Sequence, residues 1–357
     1  MKTEVAIIGA GPAGSAAAIA LSKKGISNVL IDKRRKIGIP VQCAEFVPLN
    51  INSYVDLNAV PSLISQEIGF MDVDAGKVIR RVDGKGYILN RDIFDSELAS
   101  VAVGKGSRLL SGARAYKINP VKNSVEILNV EEKIPDEIYY DYLIIAAGPK
   151  PYLDIPQNKT FIYAAQVKTE LLKALDSVIC YFRAYIPYGY GWLFPKGRLA
   201  NVGIGIEKSG SYNGGFSLSG SLSRFIEELR AGGLIGTKII EKTSGLVPVS
   251  GLNEITAGNI ALCGDSAGLT HPITGAGILS AVISGELAGD YAAESVKKSK
   301  NLLSEYKEEI ESIFKKPFLT ALKKRAELYP KMLDDAGIAE NISRLWPSFD
   351  EYYKVKS

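Results

Sequence analysis

The sequence predicts an α/β fold: a split, doubly wound parallel sheet, an antiparallel sheet inserted into it, and a C-terminal helical region. Three observations predict it. A glycine-rich turn joins an apolar strand to a helix at the N-terminus; apolar strands of the same kind return at 142–148 and 259–265; an alternating aromatic and β-branched stretch lies between them. Val5, Ala6, Ile7 and Ile8 form a short apolar run of the type buried on both sheet faces. Gly9, Gly11 and Gly14 follow as G-x-G-x-x-G, with Pro12 and Ala13 inside the motif as cofactor-binding candidates and a helical run over 13–24 behind it. Gly9 permits the tight turn, Gly11 lets the backbone approach a pyrophosphate, and Gly14 permits close helix–strand packing. The phosphates would sit at the positive end of the helix. A second apolar strand, 28–31, ends in Asp32, where a carboxylate takes a ribose hydroxyl pair. Together these features make the N-terminus Rossmann-like and point to a bound dinucleotide.

The chain has 357 residues, enough for one large core or two modest ones. Its 46% hydrophobic and 23% charged residues are ordinary for a globular protein. No apolar run approaches the roughly 20 residues of a membrane span, and no signal peptide is expected because a strand begins almost at once. Cys43, Cys180 and Cys263 stand alone, so neither a disulfide framework nor a metal site is expected, which suits a reducing cytoplasm. A net charge of +4 is too mild to argue for nucleic acid.

Beyond Asp32 comes the basic run Lys33-Arg34-Arg35-Lys36, either a solvated loop or a flank for the adenine and its phosphates. Residues 51–86 carry short strand-like pieces with no firm period. Asn90-Arg91-Asp92, followed by Phe94, Leu98 and Val101, reads as a capped amphipathic helix. Strands are expected over 108–110, 113–118, 124–128 and 137–139, then a buried strand ending Ala146-Ala147-Gly148. The antiparallel sheet is expected from 161–169, 178–186, 191–194 and 200–206, with a helix over 218–229. The nucleotide fold resumes at 259–265, a strand ending Gly264-Asp265, followed by a helix over 275–296. The division expected is 1–50, 87–150 and 252–298 for the nucleotide domain, 51–86 and 151–251 for the substrate domain, and 299–357 for the helical region.

The N-terminal glycines with Asp32, the late Gly264-Asp265, and His271-Pro272-Ile273-Thr274-Gly275-Ala276-Gly277 together resemble the p-hydroxybenzoate hydroxylase-type flavoproteins. The resemblance implies FAD extended across the split fold, with Asp265 at the ribityl or pyrophosphate region. It implies that Gly275, Ala276, Gly277 and Ile278 open a helix facing the flavin pyrimidine ring, where amides and the helix dipole stabilise the charge of reduced flavin. It places Arg91 near the phosphates, although a surface position beside the helix cap is an equal reading, and Ala147 and Gly148 beside the cofactor. Lys33 and Ala44 join the cofactor-binding set on the same ground.

Pro40-Val41-Gln42-Cys43-Ala44-Glu45 and Tyr190-Gly191-Trp192-Leu193-Phe194-Pro195-Lys196 resemble the geranylgeranyl reductase family more narrowly. That likeness implies an FAD-dependent reductase saturating isoprenoid double bonds of archaeal-type lipids or a polyprenyl quinone. The family packs the Gln42–Glu45 tract beside the flavin, which makes Cys43 a pocket-shaping or catalytic candidate against the plain alternative of a small buried apolar residue. Glu45 is a candidate proton relay. His271, the only histidine, is a candidate proton donor or simply a residue leading into the helix with a satisfied ring. Tyr188, Tyr190, Trp192 and Phe194, together with Tyr185, supply aromatic surface for an isoprenoid chain, whose binding rests on apolar area at roughly 25 cal/mol per Å²; ordinary sheet core is the alternative.

Rival readings are a flavin monooxygenase or halogenase and a flavoprotein carrying electrons to a membrane quinone. The hydroxylases' usual Asp-Gly pair after the strand at 142–148 is Ala147-Gly148 here, which weakens the hydroxylase reading and direct NADPH reduction and favours ferredoxin or another low-potential donor over NAD(P)H. Lys315-Lys316-Pro317-Phe318, Lys323-Lys324-Arg325, Trp346, Tyr352 and Tyr353 suit either a peripheral membrane contact or a helical cap over the pocket. The expected location is cytoplasmic, with that contact at the membrane.

Overall fold

The computed structural model describes residues 1–149, 160–207 and 217–354. The expected domain boundary at 150/151 lies outside them. Strand Lys2–Ile8 runs parallel to Asn28–Asp32 on one side and Pro135–Ile145 on the other. Arg108–Ser111 extends the sheet beyond the first neighbour and Ile260–Leu262 beyond the second. The parallel strands thus deliver Ile8, Asp32, Ile145 and Leu262 to one edge, where open α/β sheets bind their ligands. Pro135–Ile145 is a single strand where the sequence suggests two. Its first half pairs with Ser124–Asn129, which pairs with Ala113–Asn119, and its second half runs beside Lys2–Ile8.

The helices are α1 (Pro12–Lys23), α2 (Arg91–Gly104), α3 (Leu218–Ala231), α4 (Ile278–Lys298), α5 (Leu303–Leu328), α6 (Asp335–Leu345) and α7 (Asp350–Tyr353). α1 is buried along most of its length by small side chains, Ala16, Ala17, Ala18 and Ala20 among them. That permits α4 to approach very closely. A Cβ on Gly285 would lie 2.0 Å from the Ala13 carbonyl oxygen, and one on Gly289 2.5 Å from that of Ala17.

The second sheet runs Ile235–Pro248, Phe161–Leu171, Leu199–Glu207, Tyr190–Lys196, Ser177–Tyr181, Ile64–Asp74, Ile79–Leu89 and Phe46–Pro48. Among the described residues of this sheet only the pair Ser177–Tyr181 with Ile64–Asp74 is parallel. The chain therefore enters this sheet at Phe46, ahead of the expected residue 51. Residues 51–86, which lack a period, hold most of a long hairpin. Its register shifts twice and its second strand is largely exposed, so no alternation reaches the sequence. The strand Ile235–Pro248 escapes sequence reading for a similar reason: it lies at the sheet edge and few of its side chains are buried.

Each face of this sheet is covered. α3 packs Phe225, Ile226 and Leu229 against Tyr181, Leu193, Val202 and Ile204. On the other face α5 to α7 bring Ala321, Leu328, Ile342, Leu345 and Trp346 against Val178, Cys180, Trp192 and Phe194. Among the described residues no helix is long and apolar enough to cross a membrane.

The α1–α4 contact gives a direct test. Gly285→Ala should lower stability by about 1–3 kcal/mol, the cost of overpacking against backbone that cannot yield. A urea unfolding midpoint equal to that of the unmodified chain would refute the close approach.

Candidate functional site

The glycine turn has the geometry its spacing predicts. Gly9 has φ +103°, and a Cβ there would lie 2.2 Å from the Ala146 carbonyl oxygen. A Cβ on Gly14 would stand 1.8 Å from the Gly9 oxygen, so this glycine seats α1 on the strand. Gly11 differs: among the described residues nothing lies within 4 Å of its Cβ position, and the same holds for Gly148 on the neighbouring strand end. The open side of the turn therefore faces the edge of the sheet, at the start of α1, where Pro12 occupies the first helical turn without a wasted amide. Asp32 is 4% exposed; its carboxylate accepts from the Ala10 amide at 2.8 Å and the Arg34 amide at 2.7 Å. Those bonds hold it beside the turn. Lys33 is exposed. A backbone cradle with room at Gly11, a helix N-terminus and an adjacent buried carboxylate fit a dinucleotide.

The late strand completes the edge. A Cβ on Gly264 would lie 3.1 Å from that of Ala13, and the Ser266 hydroxyl donates to the Gly148 carbonyl at 2.9 Å. Asp265 accepts from the Thr270 hydroxyl at 2.9 Å, and its Oδ1 lies 3.4 Å from the Cβ position of Gly277. Burial pushes the Asp265 carboxyl up, opposed by the Thr270 bond and by Arg91 nearby. Gly275 and Ala276 are exposed at the start of α4, whereas Ile278 is buried. The His271 Nδ1 accepts from the amides of Ile273 and Thr274 at 3.3 and 3.2 Å, and burial lowers its pKa to about 4. At neutral pH the ring is thus uncharged, and its acceptor nitrogen braces the turn.

Glu45 is bound more fully than a proton relay requires. It has φ +74° and is 1% exposed. Its carboxylate accepts from the Arg91 amide at 3.0 Å, Lys196 Nζ at 2.5 Å and Asn201 Nδ2 at 2.8 Å. It caps α2 in place of Asn90, whose side chain donates instead to the Ser62 carbonyl. The Arg91 guanidinium makes a two-bond pair with Asp95 at 2.8 and 2.9 Å and is largely buried, not on the surface. Its charge still reaches Cys43: burial pushes the thiol up and Arg91 opposes that shift. Cys43 Sγ accepts from the Glu45 amide at 3.2 Å.

Three residues outside the sequence-derived set anchor this tract. Gln166 donates to the Cys43 carbonyl, Asn201 to the Ala44 carbonyl and the Glu45 carboxylate, and Lys196 to Glu45. The first two are buried polar residues each flanked by apolar neighbours, Ala165 and Val167 for Gln166, Ala200 and Val202 for Asn201, and that was the available signal. Among the described residues Asn201 Oδ1 has no partner, and it borders a cavity of about 10 Å³, room for one water.

Tyr190, Trp192 and Phe194 share one face of their strand, as the two-residue period requires, and Tyr188 joins them from the preceding turn. Tyr185 does not. Its hydroxyl donates to Glu228 on α3, on the opposite face. The Tyr190 hydroxyl donates to the Thr274 carbonyl at 2.6 Å, which joins the aromatic face to the turn before α4. Trp346 packs edge-on to Tyr190 and Phe182 at 5.2 and 5.4 Å. Of the C-terminal residues with membrane character, Phe318, Arg325, Trp346 and Tyr352 are buried; Lys315, Lys316, Lys323 and Tyr353 are exposed. Among the described residues no cluster could hold a metal ion.

Two outcomes test this geometry. Lys196→Met leaves the Glu45 charge buried without its cation and should cost about 3–5 kcal/mol; a loss under 1 kcal/mol would mean that the carboxylate is not dry. For His271, the folded pKa lies below the unfolded value of about 6.5, so its contribution is present above that value and is lost as pH falls toward 4. The stability advantage of the native chain over His271→Gln should therefore shrink by up to about 3 kcal/mol between pH 7 and pH 4. A difference independent of pH would show a hydrated ring.

The pyridine nucleotide-disulphide oxidoreductase family model matches residues 3–207. A digeranylgeranylglycerophospholipid reductase from Methanococcus aeolicus is 33% identical, the alignment covering 98% of this chain and 90% of that one. Among solved structures, a geranylgeranyl bacteriochlorophyll reductase-like protein from Thermoplasma acidophilum superposes with a TM-score of 0.85 at 28% identity, covering 99% of this chain and 94% of the other. The flavin-dependent brominase Bmp2 superposes at 0.72 with 16% identity, covering 97% and 91%, and shows the shared fold alone. The glycine cradle, the strapped Gln42–Glu45 tract and the aromatic strand all lie within residues 3–207, and the chain belongs to the geranylgeranyl reductase family of flavin-dependent oxidoreductases.

Proposed function

We propose that the chain binds FAD and hydrogenates the geranylgeranyl chains of an archaeal-type ether phospholipid. The observation that carries this is the joining of two surfaces: the Cys43–Glu45 tract and the Tyr190–Phe194 face are bonded together beside the nucleotide cradle. Gly9 to Gly14 and Asp32 would hold the adenosine and pyrophosphate half, and Asp265 with the start of α4 the ribityl and flavin half. When bound and reduced, the flavin supplies the hydride that one alkene carbon accepts.

The chain's own residues do the rest. An isoprenoid offers nothing to hydrogen-bond, so apolar aromatic surface aligns it, and the packed C-terminal helices exclude water. The positive end of α4 favours negative charge at the flavin edge. The proton for the second carbon has few sources. His271 is uncharged, Glu45 is bonded to a cation, and the Tyr190 proton is committed to Thr274. The Cys43 thiol, held protonated by burial, is the remaining acid in the tract. Reductant enters from a low-potential donor of the ferredoxin kind.

Anaerobic turnover with dithionite, given geranylgeranylated phospholipid and polyprenyl quinone separately, should yield products heavier by successive pairs of hydrogens with the phospholipid. Cys43→Ala should slow this by about 10²-fold, the scale of a lost general acid. Retention of full rate and stereochemistry would remove Cys43 from the mechanism. No mass gain on either substrate would favour the electron-carrier reading.

A further inference from the structure

Gln166 lies at one end of a row that crosses three strands. On Phe161–Leu171 it stands opposite Gly203, and Gly203 stands opposite Trp192. The middle position is empty of side chain, because a Cβ on Gly203 would lie 2.3 Å from the indole Cζ2. The indole therefore passes over Gly203, and its Nε1 donates to Gln166 Oε1 at 2.8 Å. In the other direction Gln166 Nε2 donates to the Cys43 carbonyl at 3.1 Å. The orientation of the amide follows from its partners: an indole N–H only donates and a carbonyl only accepts. Both Gln166 and Trp192 are buried, at 7% and 8% exposure, so water competes little for these bonds.

We propose that Gln166 is a positioning residue, fixing the Cys43 backbone to the Trp192 indole and so setting the spacing between the cofactor-side loop and the aromatic face. The assignment rests on the reading of the site given above. Glu45 and Asn201 anchor the residues that follow Cys43, and Gln42 donates to the Ser244 carbonyl ahead of it. Gln166 is the strap at Cys43 itself. Replacing it by an apolar residue of similar volume keeps the packing but removes both bonds at once. A glutamate in its place keeps both bonds only while protonated, since the ionised form cannot donate to a carbonyl.

Cys43 is half-buried whereas Cys180 and Cys263 are buried, so thiol alkylation reports the position of this loop with internal controls. The full chain, with and without added FAD, is treated with iodoacetamide and the labelled cysteines are mapped by mass. In Gln166→Leu, Cys43 should react roughly tenfold faster than in the native chain, the factor that loss of a net hydrogen bond allows, with Cys180 and Cys263 still protected. In Gln166→Glu, the rate relative to the native chain at the same pH should be near one in acid and rise as the new carboxyl ionises. With turnover, Gln166→Leu should lower kcat with little change in KM, and Gln166→Glu should add an ionisation to the pH–kcat profile. If Gln166→Leu exposes all three cysteines, the reversible pH dependence of Gln166→Glu decides the matter. Labelling ratios near one for both variants across pH would overturn the assignment, even in an enzyme that turns over normally. Absence of turnover in the native chain, with labelling as expected, would instead overturn the reductase reading.

Discussion

One buried carboxylate governs how the two sheets meet. Glu45 is 1% exposed, and a charge so placed is tolerable only with good donors on every side. Its donors come from the start of α2, from the end of the strand Tyr190–Lys196, and from Asn201 on the next strand. None of these elements is adjacent to Glu45 in the chain. The carboxylate is satisfied only when the nucleotide half and the second sheet are already in one arrangement. Such an ion pair contributes little net stability, but losing one partner leaves the other charge buried without compensation.

That arrangement determines what the Gln42–Glu45 tract can do. With its end tied down at Glu45, the tract lies between the glycine cradle and the aromatic strand. Cys43 then has the Arg91 charge acting on its thiol and, through Gln166, the Trp192 indole tied to its carbonyl. The C-terminal helices belong to the same construction. Arg325 of α5 pairs with Glu207 at 2.5 Å, donates to the Pro272 carbonyl and stacks over Tyr329. It thereby ties the helical region to the turn that precedes α4. The helical region is thus a wall of the site, and its aromatic residues mostly point inward.

The glycine turn and the aromatic strand were legible in the sequence because their constraints are local. Gly9 and Gly14 answer to backbone contacts set by one turn, and the two-residue period of Tyr190, Trp192 and Phe194 places them on one face. The hairpin within 64–89 was not legible, because bulges and one-sided exposure erase its period. Tyr185 was misread with the other aromatics. It lies beyond the end of the strand Ser177–Tyr181, and its hydroxyl follows Glu228 to the far side.

The sequence by itself determined where backbone must approach backbone, which faces are apolar, and which residue types could do redox-assisted chemistry. Only the tertiary structure decided the state of each polar group among them. Glu45 reads as an available acid until Lys196, 151 residues away, is found bonded to it. His271 reads equally as a proton donor or as a residue leading into the helix, until burial and two backbone amides are found to hold its ring uncharged. Gln166 carries no motif at all, and its place between Cys43 and Trp192 exists only across strands. Periodicity and glycine placement depend on near neighbours, which a sequence contains. Protonation and hydrogen-bond commitment depend on burial and distant partners, which folding alone brings together.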